Sequence, residues 1–182
     1  MSESAISKVI KERRSIKKGY NDKTVEEETV RNLLNNAIYA PTHGMREPWR
    51  FIFIDKERLP TFAKKVAATY EETMQQNRED YLNEPNAILV AIMQKPELEK
   101  QYDENFGAIA SFIQNFSLLA WEEELGVCWK TNPHIYDEQV KDILQVREDE
   151  KIVGFIHLGY FDEAPALKER TDINEKLEIY EG

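Results

Sequence analysis

Three consecutive residues, Arg13-Arg14-Ser15, put two guanidinium groups beside a hydroxyl. A guanidinium fork donates two parallel, charge-assisted hydrogen bonds, which suits a phosphate. The same residues also suit a helix C-terminus, where a cation complements the dipole by ~0.3–1 kcal/mol. Taken alone, the pair leaves both readings open and leans to the second. A further cation, Lys130, stands beside Thr131 in Gly126-Val127-Cys128-Trp129-Lys130-Thr131-Asn132. An ammonium and a hydroxyl at the end of a buried strand lie where open α/β folds bind ligands. The Lys-Thr pair lacks the glycine spacing of a phosphate-binding P-loop, so an ATPase reading is rejected. Trp129 reads as a core or interface residue more readily than as a stacking platform.

The stretch Ala40-Pro41-Thr42-His43-Gly44-Met45-Arg46-Glu47-Pro48-Trp49-Arg50-Phe51 is a loop bracketed by prolines. Such a loop has little backbone freedom and is pre-organised for a ligand. Gly44 would let backbone approach a flat ring closely. His43 suits a phosphate or a ring carbonyl, although its composition favours a solvated loop histidine. His43, His134 and His157 lack metal-ligand spacing, so no metal site is expected. His157 reads as a satisfied structural residue of a strand. Cys128, flanked by Val127 and Trp129, reads as buried and inert. No nucleophilic triad can be assembled from the order of residues, and no catalytic side chain is assigned.

Charge sets what these groups can meet. The chain has 34 acidic and 24 basic residues in 182, for a formal net charge of -10. A field of that sign disfavours nucleic acid and anionic membrane surfaces as partners. An anionic ligand therefore needs its own local cationic pocket. A single cysteine rules out an intrachain disulfide. The start lacks the basic and apolar regions of a secretion signal, and no apolar run approaches the ~20 residues of a membrane span. A cytoplasmic location is expected.

The elements that must position these groups follow from periodicity. Ile6, Val9 and Ile10 predict a helix from about Ala5 to Glu12. Thr24 and Glu27 fit a capping box for a second helix, with Val30, Leu33, Leu34, Ala37 and Ile38 as its stripe and Pro41 beyond its end. Trp49 to Ile54 reads as a strand. A third helix is expected from Arg58 to about Gln76, then a polar, mobile stretch through Asn86. Whether residues 75–86 form a lid or only a surface loop stays open. Ala87 to Met93 is apolar throughout, the mark of a strand buried on both faces. A long apolar helix follows from about Phe106 to Glu124, stopped by Gly126. Asp137 is expected to cap a helix to about Leu144, and Ile152 to Leu158 to be a buried strand. The polar tail after Pro165, with Leu177 and Ile179, has too little apolar surface to fold alone. A partner subunit is one candidate to receive it. With no repeat in view, the chain reads as one mixed α and β domain over residues 1–182.

Taken in order, these segments resemble the nitroreductase family. Arg13-Arg14-Ser15 is similar to its first flavin-phosphate motif, the loop closing on Pro48-Trp49-Arg50-Phe51 to the second, and Trp129-Lys130-Thr131 to the third. Lys151-Ile152-Val153-Gly154-Phe155-Ile156-His157-Leu158-Gly159-Tyr160 resembles a strand near the family's end. The likeness runs from about Ile6 to Tyr160 and is nearest to compact members with a histidine in the second loop.

The resemblance implies an α+β three-layer sandwich, with a central, mostly antiparallel sheet flanked by helices, in an intertwined homodimer. The partner's C-terminal segment would complete the sheet, and FMN would lie at the dimer interface. Arg13, Arg14 and Ser15 would hold the phosphate and ribityl end. Trp129, Lys130 and Thr131 would lie along the flavin, with Tyr39 and His43 reaching it from the partner subunit. Lys168 and Arg170 are further candidates for the phosphate. The implied activity is ping-pong hydride transfer from NADH or NADPH to a nitroaromatic, quinone or similar electron-poor acceptor. The alternatives are a protein that stores, senses or degrades flavin without a separate substrate, and a phosphate-binding regulatory domain with no flavin. Two departures bear on substrate choice: Met45 and Glu47 stand where many members have Asn and Gln, and Asn132 where glycine is frequent.

Overall fold

The computed structural model describes residues 4–182. Met1, Ser2 and Glu3, on which part of the expectation of no secretion signal rests, lie outside the described residues. The first helix, α1, spans Ala5–Glu12, as its apolar spacing predicts, and the Ser4 hydroxyl accepts from the Ser7 amide to cap it. Helix α2 spans Glu27–Ala37 and starts later than expected. Its N-cap is Glu26, with no side-chain cap, so the Thr24–Glu27 box does not form. Val25 is buried instead, and anchoring it holds the preceding chain extended.

Strand β1 (Trp49–Ile54) leads to α3 (Leu59–Ala67) and α4 (Glu72–Asn83). One long helix was expected here, followed by a mobile stretch. The break comes because the Thr69 and Tyr70 amides turn back to Val66 and Ala67, three residues earlier, and the Thr69 hydroxyl also takes the Val66 carbonyl. The polar stretch is largely helical, and Leu82, fully buried, fastens it to the core. A lid over 75–86 therefore gains no support from its fold.

Strand β2 (Ala87–Gln94) precedes α5 (Glu99–Glu122), which begins two turns before Phe106. Those first turns carry mostly charged residues, so an apolar stripe could not reveal them. Glu124, at φ 57°, reverses the chain after α5. Gly126 does not stop the helix. It lies inside β3 (Leu125–Lys130), where a Cβ would come within 2.8 Å of the Gly159 carbonyl. Helix α6 (Glu138–Ile143) is capped by Asp137, as expected, and β4 (Glu150–Tyr160) follows.

The four strands form one antiparallel sheet in the order β1-β2-β4-β3. β2 is buried on both faces because Leu89 and Ala91 pack under α2 and α5, whereas Ile88, Val90 and Ile92 pack under α3, α4 and α6. The result is a three-layer α+β arrangement. A bulge opens near Val153, and the Trp129 indole donates to the Val153 carbonyl at 3.1 Å.

Candidate functional site

The chain leaving α1 runs beside β3. Ser15 bridges Val127 in parallel, and the Ile16 amide donates to the Val127 carbonyl at 3.2 Å. Alternate residues of an extended segment share a side, so Arg13, Ser15 and Lys17 stand apart from Arg14 and from buried Ile16. The neighbouring arginines divide their tasks. Arg14 donates from Nη1 to the Lys11 and Arg13 carbonyls at 2.7 and 2.8 Å and closes the end of α1. Arg13 is half-buried, and burial, Arg14 and Arg170 together hold its pKa below the usual range. Crowded positive charge of this kind favours an anion nearby.

Cys128 is the hub of the cluster. Burial pushes its thiol up, while Lys130, Lys17 and Arg13 all pull it down. The cysteine is buried, as expected, yet the charges of three cations from two separate segments act on it. No carboxylate pairs with Arg13, Lys17, Lys130 or Arg170 among the described residues. Lys130 lies 5.1 Å from the Tyr81 ring centroid, and the Tyr81 hydroxyl donates to Asn132 Oδ1 at 2.8 Å. The side chain standing where glycine is frequent thus ties the third motif to α4. Thr131 is exposed beside it. Trp129 packs with the α2/α5 core, on the face of β3 opposite Lys130.

Tyr39 and His43 lie outside this cluster. Tyr39 is 84% exposed just after α2. The second loop contains a short 3-10 turn, His43–Met45, and is held by α5: Glu104 pairs with Arg46 at 2.5 Å and with His43 Nδ1 at 3.6 Å. Gly44, Met45 and Glu47 all take left-handed backbone, at φ 60°, 52° and 46°. Such conformations disfavour side chains, and they persist here because Arg46 also donates to Asn105 and the Glu47 amide to Thr42. Arg50 is spent on structure, donating to both oxygens of buried Glu150 at 2.7 and 2.6 Å.

Residue types alone did not reveal Lys17, Tyr81 or Glu104. The alternation Arg13-x-Ser15-x-Lys17 was a usable signal for the first, but only once the segment is known to be extended. His157 is buried but not satisfied, contrary to expectation: neither ring nitrogen has a hydrogen-bond partner among the described residues. His134 Nδ1 lies 2.9 Å from the Tyr70 hydroxyl. No group of three or more potential metal ligands is present among the described residues, and none of their helices is long and apolar enough to cross a membrane.

The model of the nitroreductase family matches residues 10–160. The chain belongs to the nitroreductase family. A Bacillus subtilis (strain 168) relative with the provisional name NAD(P)H nitroreductase YfhC is 34% identical, over 96% of this chain and 93% of its own. A nitroreductase-like family protein from Bacillus cereus superimposes with a TM-score of 0.92 and 37% identity, covering 100% of this chain and 99% of that one. A Desulfovibrio desulfuricans protein solved in complex with FMN shares the nitroreductase fold at a TM-score of 0.79 and 22% identity, over 97% and 96% of the two chains.

Proposed function

We propose that this chain is an FMN-dependent NAD(P)H oxidoreductase that reduces nitroaromatics, quinones or similar electron-poor acceptors by ping-pong transfer. In this reading residues 1–182 act as one domain of a cytoplasmic homodimer with flavin between the subunits. One observation carries it: Arg13, Lys17 and Lys130 act together on Cys128, and Arg170 acts on Arg13, none of them with a carboxylate partner among the described residues, in a chain of net charge -10. Like charges held together repel, and a phosphate relieves that repulsion through charge-assisted hydrogen bonds. The donor set therefore fits FMN.

Bound FMN supplies the two-electron chemistry, while the protein supplies position and electrostatics. Arg13, Ser15 and Arg170 would hold the phosphate, with Arg14 fixing the helix end behind them. Lys17, Lys130 and Thr131 would line the flavin, and Lys130 is suited to stabilise negative charge there without reorganisation. Trp129 supports this surface from the other face of β3. Tyr39 and His43, exposed on a loop braced by Glu104, would reach the flavin of a partner subunit. No side chain is assigned as an essential acid or base.

The purified protein is expected to absorb near ~450 nm, as a flavin does, to bleach with NADH or NADPH, and to recover colour with a quinone or nitroaromatic. Protein that stays colourless after incubation with FMN would sink the flavin reading. Bound flavin that neither nicotinamide reduces would leave a flavin-binding protein and sink the reductase reading.

A further inference from the structure

Strand β4 carries near its start a cation that the proposed flavin contacts do not use. The ammonium of Lys151 stands among three aromatic rings from two other segments. Tyr102 and Phe106 of α5 have ring centroids 5.2 and 6.0 Å from Lys151 Nζ, and Tyr136 in the turn after β3 lies at 5.9 Å. All three are within reach of cation–π attraction. Lys151 Nζ also donates to the Tyr102 hydroxyl at 2.5 Å, which fixes the head of a long side chain.

What the cluster lacks is an anion. An ammonium carries three donors, and the Tyr102 hydroxyl is its only hydrogen-bond acceptor among the described residues. The carboxylates beside Lys151 in the chain, and Glu104 on the facing helix, are committed to other cations. Asp149 pairs with Arg147, Glu150 with Arg50 and Arg147, and Glu104 with Arg46 and Lys100. Tyr136 and Phe106 are 62% and 40% exposed, so ring surface faces solvent beside a charge that has no counter-ion. A bare anion would use the ammonium and leave the rings wet. A free cation is repelled, since Lys151 already fills the place among the rings. A planar aromatic that carries an oxyanion uses both features at once.

The cluster also adjoins the two segments assigned above to the flavin. Tyr136 closes the turn Pro133–Tyr136, which follows the third motif, Trp129-Lys130-Thr131. Glu104 and Asn105, between Tyr102 and Phe106 on α5, hold the second loop through Arg46. Lys151 meets the rings of α5 and so shares with Trp129 the α5 face of the sheet. We propose that Tyr102, Phe106, Tyr136 and Lys151 form an acceptor subsite that selects electron-poor aromatics bearing a carboxylate or similar oxyanion. The ligand ring packs on Tyr136 and Phe106, and its oxyanion takes the free donors of Lys151. No bond is made or broken by these four residues. The inference rests on the flavoenzyme reading for the fate of the ligand, but not for its binding.

The test is calorimetric titration of the FMN-loaded protein, without nicotinamide, with para-nitrobenzoate and with its uncharged methyl ester. Lys151→Gln is expected to weaken para-nitrobenzoate about 10-fold, as the loss of a charge-assisted hydrogen bond does. The same variant should leave the ester and the flavin spectrum unchanged, and Lys151→Arg should restore the acid. Tyr136→Ala, which removes an exposed ring, should weaken both ligands. In turnover, Lys151→Gln should raise KM for the acid and spare kcat. Wild-type affinity for the acid in Lys151→Gln, or an equal loss of acid and ester, overturns the proposal. If Lys151→Gln does not fold, Tyr136→Ala decides, and unaltered binding of both ligands sinks the subsite. A protein that shows this binding pattern yet takes up no FMN defeats the flavoenzyme reading alone. One that reduces nitroaromatics with no response to Lys151→Gln defeats the subsite alone.

Discussion

At the scale of single residues, two neighbouring arginines with identical chemistry have different environments. Arg14 closes the end of α1, and Arg13 faces Cys128 and Arg170. Arg13→Ala is expected to weaken FMN binding about 10- to 100-fold, as the loss of a charge-assisted hydrogen bond does, with little change in stability. Arg14→Ala should instead lower stability by about 1 kcal/mol and leave flavin affinity near wild type. Fluorescence titration with FMN and urea unfolding read the two effects, and a reversed pattern would exchange the assignments. The sequence named the guanidinium forks but could not assign them, because the direction of the chain after Glu12 decides which fork turns back. His157 also escaped a correct reading, since alternation in a strand predicts burial but not whether a partner waits inside. Its titration makes a second prediction. A histidine whose folded pKa lies below its usual 6.5 contributes full stability above that pH and loses it as pH falls toward the folded value. Between about pH 6 and 4, His157 should remove ~1.4 kcal/mol per pH unit. His157→Phe should remove about half of the slope in that window by urea unfolding, because His134, pushed down to about 4 by burial, supplies a slope of its own there. Glu150 is held low chiefly by Arg50, so its own loss comes at more acid pH, and an unchanged slope in the variant would refute the assignment to His157.

At the scale of elements, burial on both faces and helical stripes made β2, α1 and the Asp137 cap legible. Elements fixed by tertiary contact were not. The α3–α4 break comes where the Thr69 and Tyr70 amides turn back and the Tyr70 hydroxyl meets His134, and the early start of α5 lies in residues with little apolar signal. Gly126 looked like a helix stop because local sequence cannot show that Ile16 and the Gly159 carbonyl press on it from other segments. Gly154 is the sharper case. A Cβ there would stand 2.2 Å from Trp129 Nε1, so the indole crosses the sheet only because this residue is glycine. Gly154→Ala is expected to displace Trp129, break its bond to the Val153 carbonyl, and cost about 1–3 kcal/mol. Trp129 fluorescence and the urea midpoint should move together in that variant. Unchanged emission with unchanged stability would mean the bulge yields easily and the third motif does not depend on it.

At the scale of the whole molecule, two surfaces remain without partners within one chain. The outer edge of β1 pairs with no other strand among the described residues. Beside it runs a groove of about 380 Å³ lined by Val30, Leu34, Phe51, Phe53 and Leu89 together with the charged Glu27, Arg31, Asp55 and Arg58. Unpaired edges invite another chain. The tail is the other surface: Leu167, Leu177 and Ile179 are 71%, 62% and 81% exposed, although apolar side chains gain about 25 cal/mol for each Å² removed from water. Each surface supplies what the other lacks, which favours exchange of tails between two subunits. The sequence hinted at half of this through the late apolar pair, but not at the receiving edge, since β1 reads the same whether or not a strand lies beside it. Ending the chain after Asp162 should therefore shift a dimer toward monomer in sedimentation equilibrium while leaving the far-ultraviolet spectrum largely intact. It should also weaken FMN binding by more than Arg170→Ala alone, because Tyr39 and His43 would lose the partner whose flavin they are proposed to reach. A truncated protein that remains a dimer with undiminished flavin affinity would place the tail outside the interface and leave α1, α2 and α5 to form it.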